Sequence, residues 1–164
     1  MKWLLVSACT LTLLGSGIQA SGLSEHIASP ELRAKMQAVY GARAIQRSEA
    51  FSRLLTPRAG TTDQQKLELV NNYFNNLTYS EDPRLWGDDD YWANPLEFIG
   101  ARGGDCEDYS IAKYYTLMEL GVDEKKLRLA YVKAIRYNQF HMVTLYFPTI
   151  KSDPVSYTHL TLPT

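Results

Sequence analysis

Residues 103–110 read Gly-Gly-Asp-Cys-Glu-Asp-Tyr-Ser (GGDCEDYS) and set one cysteine among three carboxylates. After the glycine pair, Asp105 occupies the position of a helix N-cap, with Asp108 three residues on in an approximate capping box. Ile111, Tyr114, Tyr115 and Met118 recur at helical spacing and predict one apolar face, and Gly121 supplies a stop. Cys106 therefore falls in the first turn of a predicted helix. Backbone N–H groups and the helix dipole favour a thiolate there, the reactive form of cysteine. Asp105, Glu107 and Asp108 push the other way, because like charge nearby raises a thiol pKa. Two arrangements resolve the conflict. In one, the three acids hold a hard cation, calcium rather than zinc since the set is all oxygen apart from one thiol, and its charge cancels theirs. In the other, the acids only cap the helix and the cysteine is a small buried side chain.

A nucleophilic thiol needs a base. Downstream, KLRLAYVKAIRY (126–137) and QFHMVTLYF (139–147) alternate as paired strands do, which predicts an antiparallel hairpin turning near Tyr137-Asn138. His141 heads a row continued by Val143, Leu145 and Phe147 on one face of the second strand. Such a histidine is either structural or a base, and it is the internal candidate, since His26 lies near the start and His159 in the tail. Cysteine on a helix N-terminus followed by histidine on a later strand is the order of a cysteine-protease dyad.

Upstream, Leu32, Met36, Val39 and Tyr40 predict one or two helices before the turn TPRAGTT (56–62). Thr62 is placed to cap a further helix whose buried stripe is Leu67, Val70, Tyr73 and Phe74. The stretch TYSEDPRLWGDDDYWAN (78–94) reads as an acidic, aromatic loop, in which Trp86, Tyr91 and Trp92 either line a cleft or belong to the core. An EF-hand starting at Asp88 fails, because Ala93 stands where its glycine belongs and Ile99 where its final glutamate belongs.

The 164 residues are 45% hydrophobic with a formal net charge of -1, which suits one soluble domain and excludes the basic stripe of a nucleic-acid binder. Residues 1–20 read as a secretory signal: Lys2, an apolar run from Trp3 to Leu14, and small residues before a cut after Ala20. Its removal leaves Cys106 as the one cysteine, so no internal disulfide can form, and no stable membrane insertion is expected.

DYWANPLEF, GGDCEDYSIAKYYTL and LRLAYVKAIRYNQFHMV together resemble the LapG-type periplasmic cysteine proteases, a bacterial branch of the transglutaminase-like, papain-related superfamily. The resemblance spans roughly residues 30–153 and implies an α+β fold, a helical N-terminal part followed by an antiparallel sheet. It further implies a Cys-His-Asp triad with Cys106 as nucleophile and His141 as general base, and calcium held by Asp105, Glu107 and Asp108. The implied substrate is the N-terminal region of a large surface adhesin, whose release disperses biofilm, and the implied regulator is an inner-membrane receptor for cyclic di-GMP. Two other readings use the same residues: acyl transfer to amines, and a calcium-stabilised binding module that cuts nothing.

The family's orienting aspartate follows the histidine on the next strand, and no aspartate follows Asp153 here. Residues 154–164, PVSYTHLTLPT, can be back-translated into a transposase adapter of sequencing libraries. The expected organisation is thus a signal at 1–20, an incomplete protease domain at 21–153 lacking its C-terminal strands, and an artefact at 154–164.

Overall fold

The computed structural model of the chain describes residues 23–135, 138–149 and 151–156, so the expected signal segment lies outside the described residues, as does most of the tail. Three helices come first, α1 (Leu23–Ala28), α2 (Pro30–Tyr40) and α3 (Ala42–Leu54), one more than the apolar spacing predicted. The punctuation is local. Ser29 accepts from the Leu32 N–H and precedes Pro30, which starts α2, and Gly41 ends it at φ +79°.

Helix α4 (Asp63–Asn75) has the expected cap: the Thr62 hydroxyl accepts from the Gln65 N–H, and the Gln65 side chain accepts from the Thr62 N–H at 3.0 Å. Its stripe is buried as expected at Leu67, Val70 and Phe74, while Tyr73 packs at the margin and donates its hydroxyl to the Arg47 carbonyl. Phe74 stands 5.7 Å from Phe98 and 5.9 Å from Phe51, ring centre to ring centre. Each such fully buried ring contributes about 1.5–3 kcal/mol.

The acidic stretch expected to be loop contains two short elements, β1 (Thr78–Tyr79) and α5 (Asp82–Leu85). Next come α6 (Pro95–Ala101), β2 (Gly103–Gly104) and α7 (Cys106–Glu119). A short 3-10 turn then leads into β3 (Leu127–Ala134), β4 (Gln139–Tyr146) and β5 (Val155–Ser156). β3 and β4 form the predicted hairpin, in register from Leu127 opposite Tyr146 to Ala134 opposite Gln139, and β5 pairs antiparallel on the other side of β4. Helices followed by an antiparallel sheet make the expected α+β architecture, with a parallel pair, β1–β2, added between them.

The predicted apolar face of α7 is a correction. Tyr115 is 52% exposed, and Ile111, Tyr114 and Met118 are half-buried; the buried residues are Asp108, Tyr109, Ser110, Ala112, Lys113, Thr116 and Leu117. α7 runs between α4 and α6 on one side and the sheet on the other, so it buries more than one stripe, including polar groups that find partners. Thr144 donates to the Ser110 carbonyl at 2.8 Å, and alternation turns Met142 and Tyr146 the same way.

Lys113 is the extreme case, 1% exposed, donating to the side-chain oxygens of Asn71 at 2.7 Å and Asn75 at 2.8 Å. Burial lowers its pKa from 10.5 to about 8. Below that value both folded and unfolded chains carry the charge, and the folded one bears its desolvation in full. Above it the folded lysine loses its proton first, so this group adds stability as pH rises from about 8 towards 10.5. Urea midpoints at pH 7.5 and 9.5 are expected to give the wild type a gain, relative to Lys113→Met, on the order of 1–2 kcal/mol. Parallel profiles for the two proteins would show that Lys113 does not titrate in this range.

Candidate active site

The loop before α7 is clamped by backbone. β1 and β2 pair parallel, Thr78 with Gly103 and Tyr79 with Gly104, and the Ser80 N–H donates to the Gly104 carbonyl. Neither glycine leaves room for a side chain: a Cβ on Gly103 would stand 1.8 Å from the Thr78 carbonyl oxygen, and one on Gly104 2.0 Å from Asp108 Oδ2. The predicted helix start is observed, with Asp105 as N-cap and Cys106 as the first helical residue.

Asp108 is fully buried, accepting from the Ala93 N–H at 2.7 Å through Oδ1 and from the Asp105 N–H at 3.4 Å through Oδ2. The second bond is the back-reaching half of the expected capping box. Asp82, 3% exposed at the start of α5, accepts from the Tyr91 N–H at 2.7 Å through Oδ2. Its Oδ1 and the Oδ1 of Asp105 are both buried without a partner. Asp82, Asp105 and Asp108 each bring an oxygen within 4.8 Å of the others.

Glu107 turns elsewhere. The Cys106 thiol donates to its Oε2 at 2.7 Å and accepts from the Met142 N–H at 3.4 Å. The acids expected to act as one trio are thus divided: Asp105 and Asp108 gather with Asp82, while Glu107 groups with Asp105 and the thiol. Asp82 is the residue that the sequence reading missed. An acid preceding a proline-started turn, 23 positions before Asp105, carries no local sign of where the fold brings it.

The electrostatics follow from this crowding. Burial, then Glu107, Asp82 and Asp108, raise Asp105 to about 8. Burial raises Asp108 to about 6 against the opposing Ala93 N–H, and burial also raises Asp82. The thiol is pushed up to about 12, first by burial and then by its bond to Glu107, with the Met142 N–H opposing. Carboxylates held this way are disfavoured as anions, and two of their buried oxygens have no hydrogen-bond partner.

Cys106 and His141 line one cleft of about 370 Å³, together with Tyr79, Glu107, Gln139 and Phe140. His141 is 7% exposed, and its Nε2 is buried with no hydrogen-bond partner. Trp86 and Tyr91 pack against the core with ring centres 4.7 Å apart, so they take the core alternative, whereas Trp92 is 51% exposed and donates to Asp90. Asp153, the last acid of the sequence, is exposed. No helix among the described residues is long and apolar enough to cross a membrane.

A helix-borne cysteine and a strand-borne histidine thus share one cleft beside buried acids. Residues 44–153 match the bacterial transglutaminase-like cysteine proteinase family, two thirds of the chain. The chain belongs to this family.

Solved structures resemble the proteinase as well. Legionella pneumophila LapG superposes with a TM-score of 0.67 at 37% identity, covering 77% of this chain and 70% of that one. The EGTA-treated form of LapG gives 0.67 at 37% identity, covering 77% and 68%. Calcium-bound LapG gives 0.66 at 38% identity, covering 77% and 70%. No curated protein shows significant sequence similarity. LapG has thus been solved with calcium, and the proteinase described here has a donor set to suit a hard cation: three carboxylates, two of them with a buried, unpartnered oxygen.

Proposed function

We propose that this proteinase is a calcium-dependent periplasmic cysteine endopeptidase that cleaves the N-terminal region of a large cell-surface adhesin. Release of the adhesin disperses biofilm, and an inner-membrane cyclic di-GMP receptor controls access to the enzyme. The observation that carries the reading is one cleft shared by Cys106 at a helix N-terminus and His141 on β4, in a chain of the cysteine proteinase family. The similarity to LapG and the secretory character of residues 1–20 support the setting.

In this reading Cys106 Sγ attacks the scissile carbonyl as its proton passes to His141, whose buried Nε2 is unengaged. The Cys106 N–H at the start of α7 faces the developing oxyanion. His141 then returns the proton to the leaving amine, and water, deprotonated by the same imidazole, resolves the acyl-enzyme. Asp82, Asp105 and Asp108 would hold calcium, and Glu107 accepts from the thiol. Bound calcium supplies the positive charge that relieves the acids and lowers the thiol pKa.

The test is incubation with the N-terminal region of a large adhesin from the same organism, in calcium and in EGTA. A discrete cleavage in calcium that falls at least about 100-fold in EGTA is expected, in line with losses seen when metal sites are disturbed. An intact adhesin in both conditions overturns the reading. The bond from the thiol to Glu107 specifically favours a second reading, a calcium-stabilised module that binds without cutting. Calcium-dependent melting with a thiol that stays unreactive in calcium would select it.

A further inference from the structure

The β3–β4 hairpin extends past the end of α7. Ser110 lies against Met142 and Thr144, and Cys106, the first residue of the helix, still touches the Met142 N–H. Beyond Met142 no helix among the described residues lies over the same sheet face. Its residues there are Phe140, 67% exposed, its cross-strand partner Lys133, and the diagonal neighbour Tyr131, 59% exposed. The Lys133 ammonium lies 5.4 Å from the centre of the Phe140 ring, a contact that restrains the ring. Tyr131 is close enough to Glu107 and Cys106 that, after burial, their charge raises its phenol pKa. Phe140 also lines the cleft that contains Cys106 and His141. The uncovered sheet face and the nucleophile's cleft are therefore one continuous surface.

We propose that this overhanging face is the substrate-binding platform of the proteinase, with Phe140 as a specificity-determining residue that receives an apolar side chain of an extended polypeptide lying across Cys106. The inference rests on the catalytic reading above and adds to it the chemistry of the segment recognised. Large exposed rings on a rigid strand gain most from covering by an apolar group, and they bring little conformational freedom to lose. The same cleft is lined by Glu81, Asp89 and Glu107, which repel an acidic side chain. An apolar residue is thus selected by contact with Phe140, and an acidic one is rejected by charge.

The experiment uses peptidyl fluoromethyl ketones with leucine, glycine or aspartate at the first or second residue from the electrophile. Cys106 displaces fluoride from them to form a thioether. In calcium, labelling by the leucine probe is expected to be about tenfold faster than by the glycine probe, and the aspartate probe slowest. Phe140→Ala is expected to bring leucine and glycine within about threefold, and Phe140→Leu to keep an intermediate preference, with iodoacetamide labelling unchanged in both. Phe140 is exposed, so both variants are expected to melt within about 3 °C of the wild type. Equal labelling by leucine and glycine probes in the wild type, or an unchanged preference in Phe140→Ala, overturns the platform and leaves the catalytic reading standing. Labelling by iodoacetamide alone, with no peptidyl probe reacting, overturns the catalytic reading and the platform with it.

Discussion

Cys106→Ala is expected to bring cleavage of the adhesin fragment down to the uncatalysed background, a loss of at least about 10³-fold. Among the described residues Cys106 is the free cysteine, and no other cysteine, serine or threonine lines the cleft it shares with His141. The substitution removes one sulfur from a half-buried position and with it two weak hydrogen bonds, to Glu107 and from Met142. Stability is therefore expected to change by no more than about 1 kcal/mol. The thiol is neutral and donates to Glu107, so its loss removes one hydrogen bond and no charge from the acid cluster. Calcium binding by Cys106→Ala, followed by calorimetry, is accordingly expected to stay close to that of the wild type. Cleavage that survives the substitution would mean that the nucleophile lies elsewhere; cleavage lost together with the calcium response would mean that the residue acts on the fold.

Gly104→Ala is expected to have the second large effect, on metal binding and stability together. The added Cβ would meet Asp108 Oδ2 at 2.0 Å and the Asp108 Cβ and Cγ at 2.7 Å, so the whole side chain must move, not only its tip. Asp108 is fully buried and bonded to the Ala93 and Asp105 N–H groups, so displacement leaves donors unsatisfied and a carboxylate without its pocket. A loss of about 3 kcal/mol or more follows from such breakage of a buried network. Thermal melts with calcium and with EGTA are expected to differ for the wild type and to coincide for Gly104→Ala. A variant that keeps the wild-type calcium shift would show that Asp108 does not participate in the site. The neighbouring Gly103→Ala makes a useful contrast, because its clash is with the Thr78 backbone and separates β1 from β2 without touching a carboxylate.

The control of this site lies in proximity that no single segment announces. GGDCEDYS specifies its own helix start, because capping and glycine punctuation act over three or four residues, and Cys106 stands at the first helical position for that reason. The hairpin is similarly local: alternation on either side of Tyr137-Asn138 predicts it, and in the structure Asn138 takes φ +53° in the turn. The capping box at Thr62 and the buried stripe of α4 belong to the same class.

Tertiary packing decided the rest. Which side of α7 is buried depends on how many neighbours surround it, and periodicity assumes one; enclosure by α4, α6 and the sheet buried Lys113, Ser110 and Thr116 and left Tyr115 in solvent. The membership of the acid cluster was likewise set in three dimensions. Asp82 reaches Asp105 and Asp108 because β1 pairs with β2 and carries α5 to the start of α7, while Glu107, adjacent in sequence, accepts from the thiol and joins Asp105 in a second group. By itself the sequence determined the elements, their order and the nucleophile's seat, since those depend on short-range sterics and hydrogen bonds. The ligand set and the cleft were left to the fold, because consecutive residues of a helix point in different directions and only packing brings distant carboxylates together.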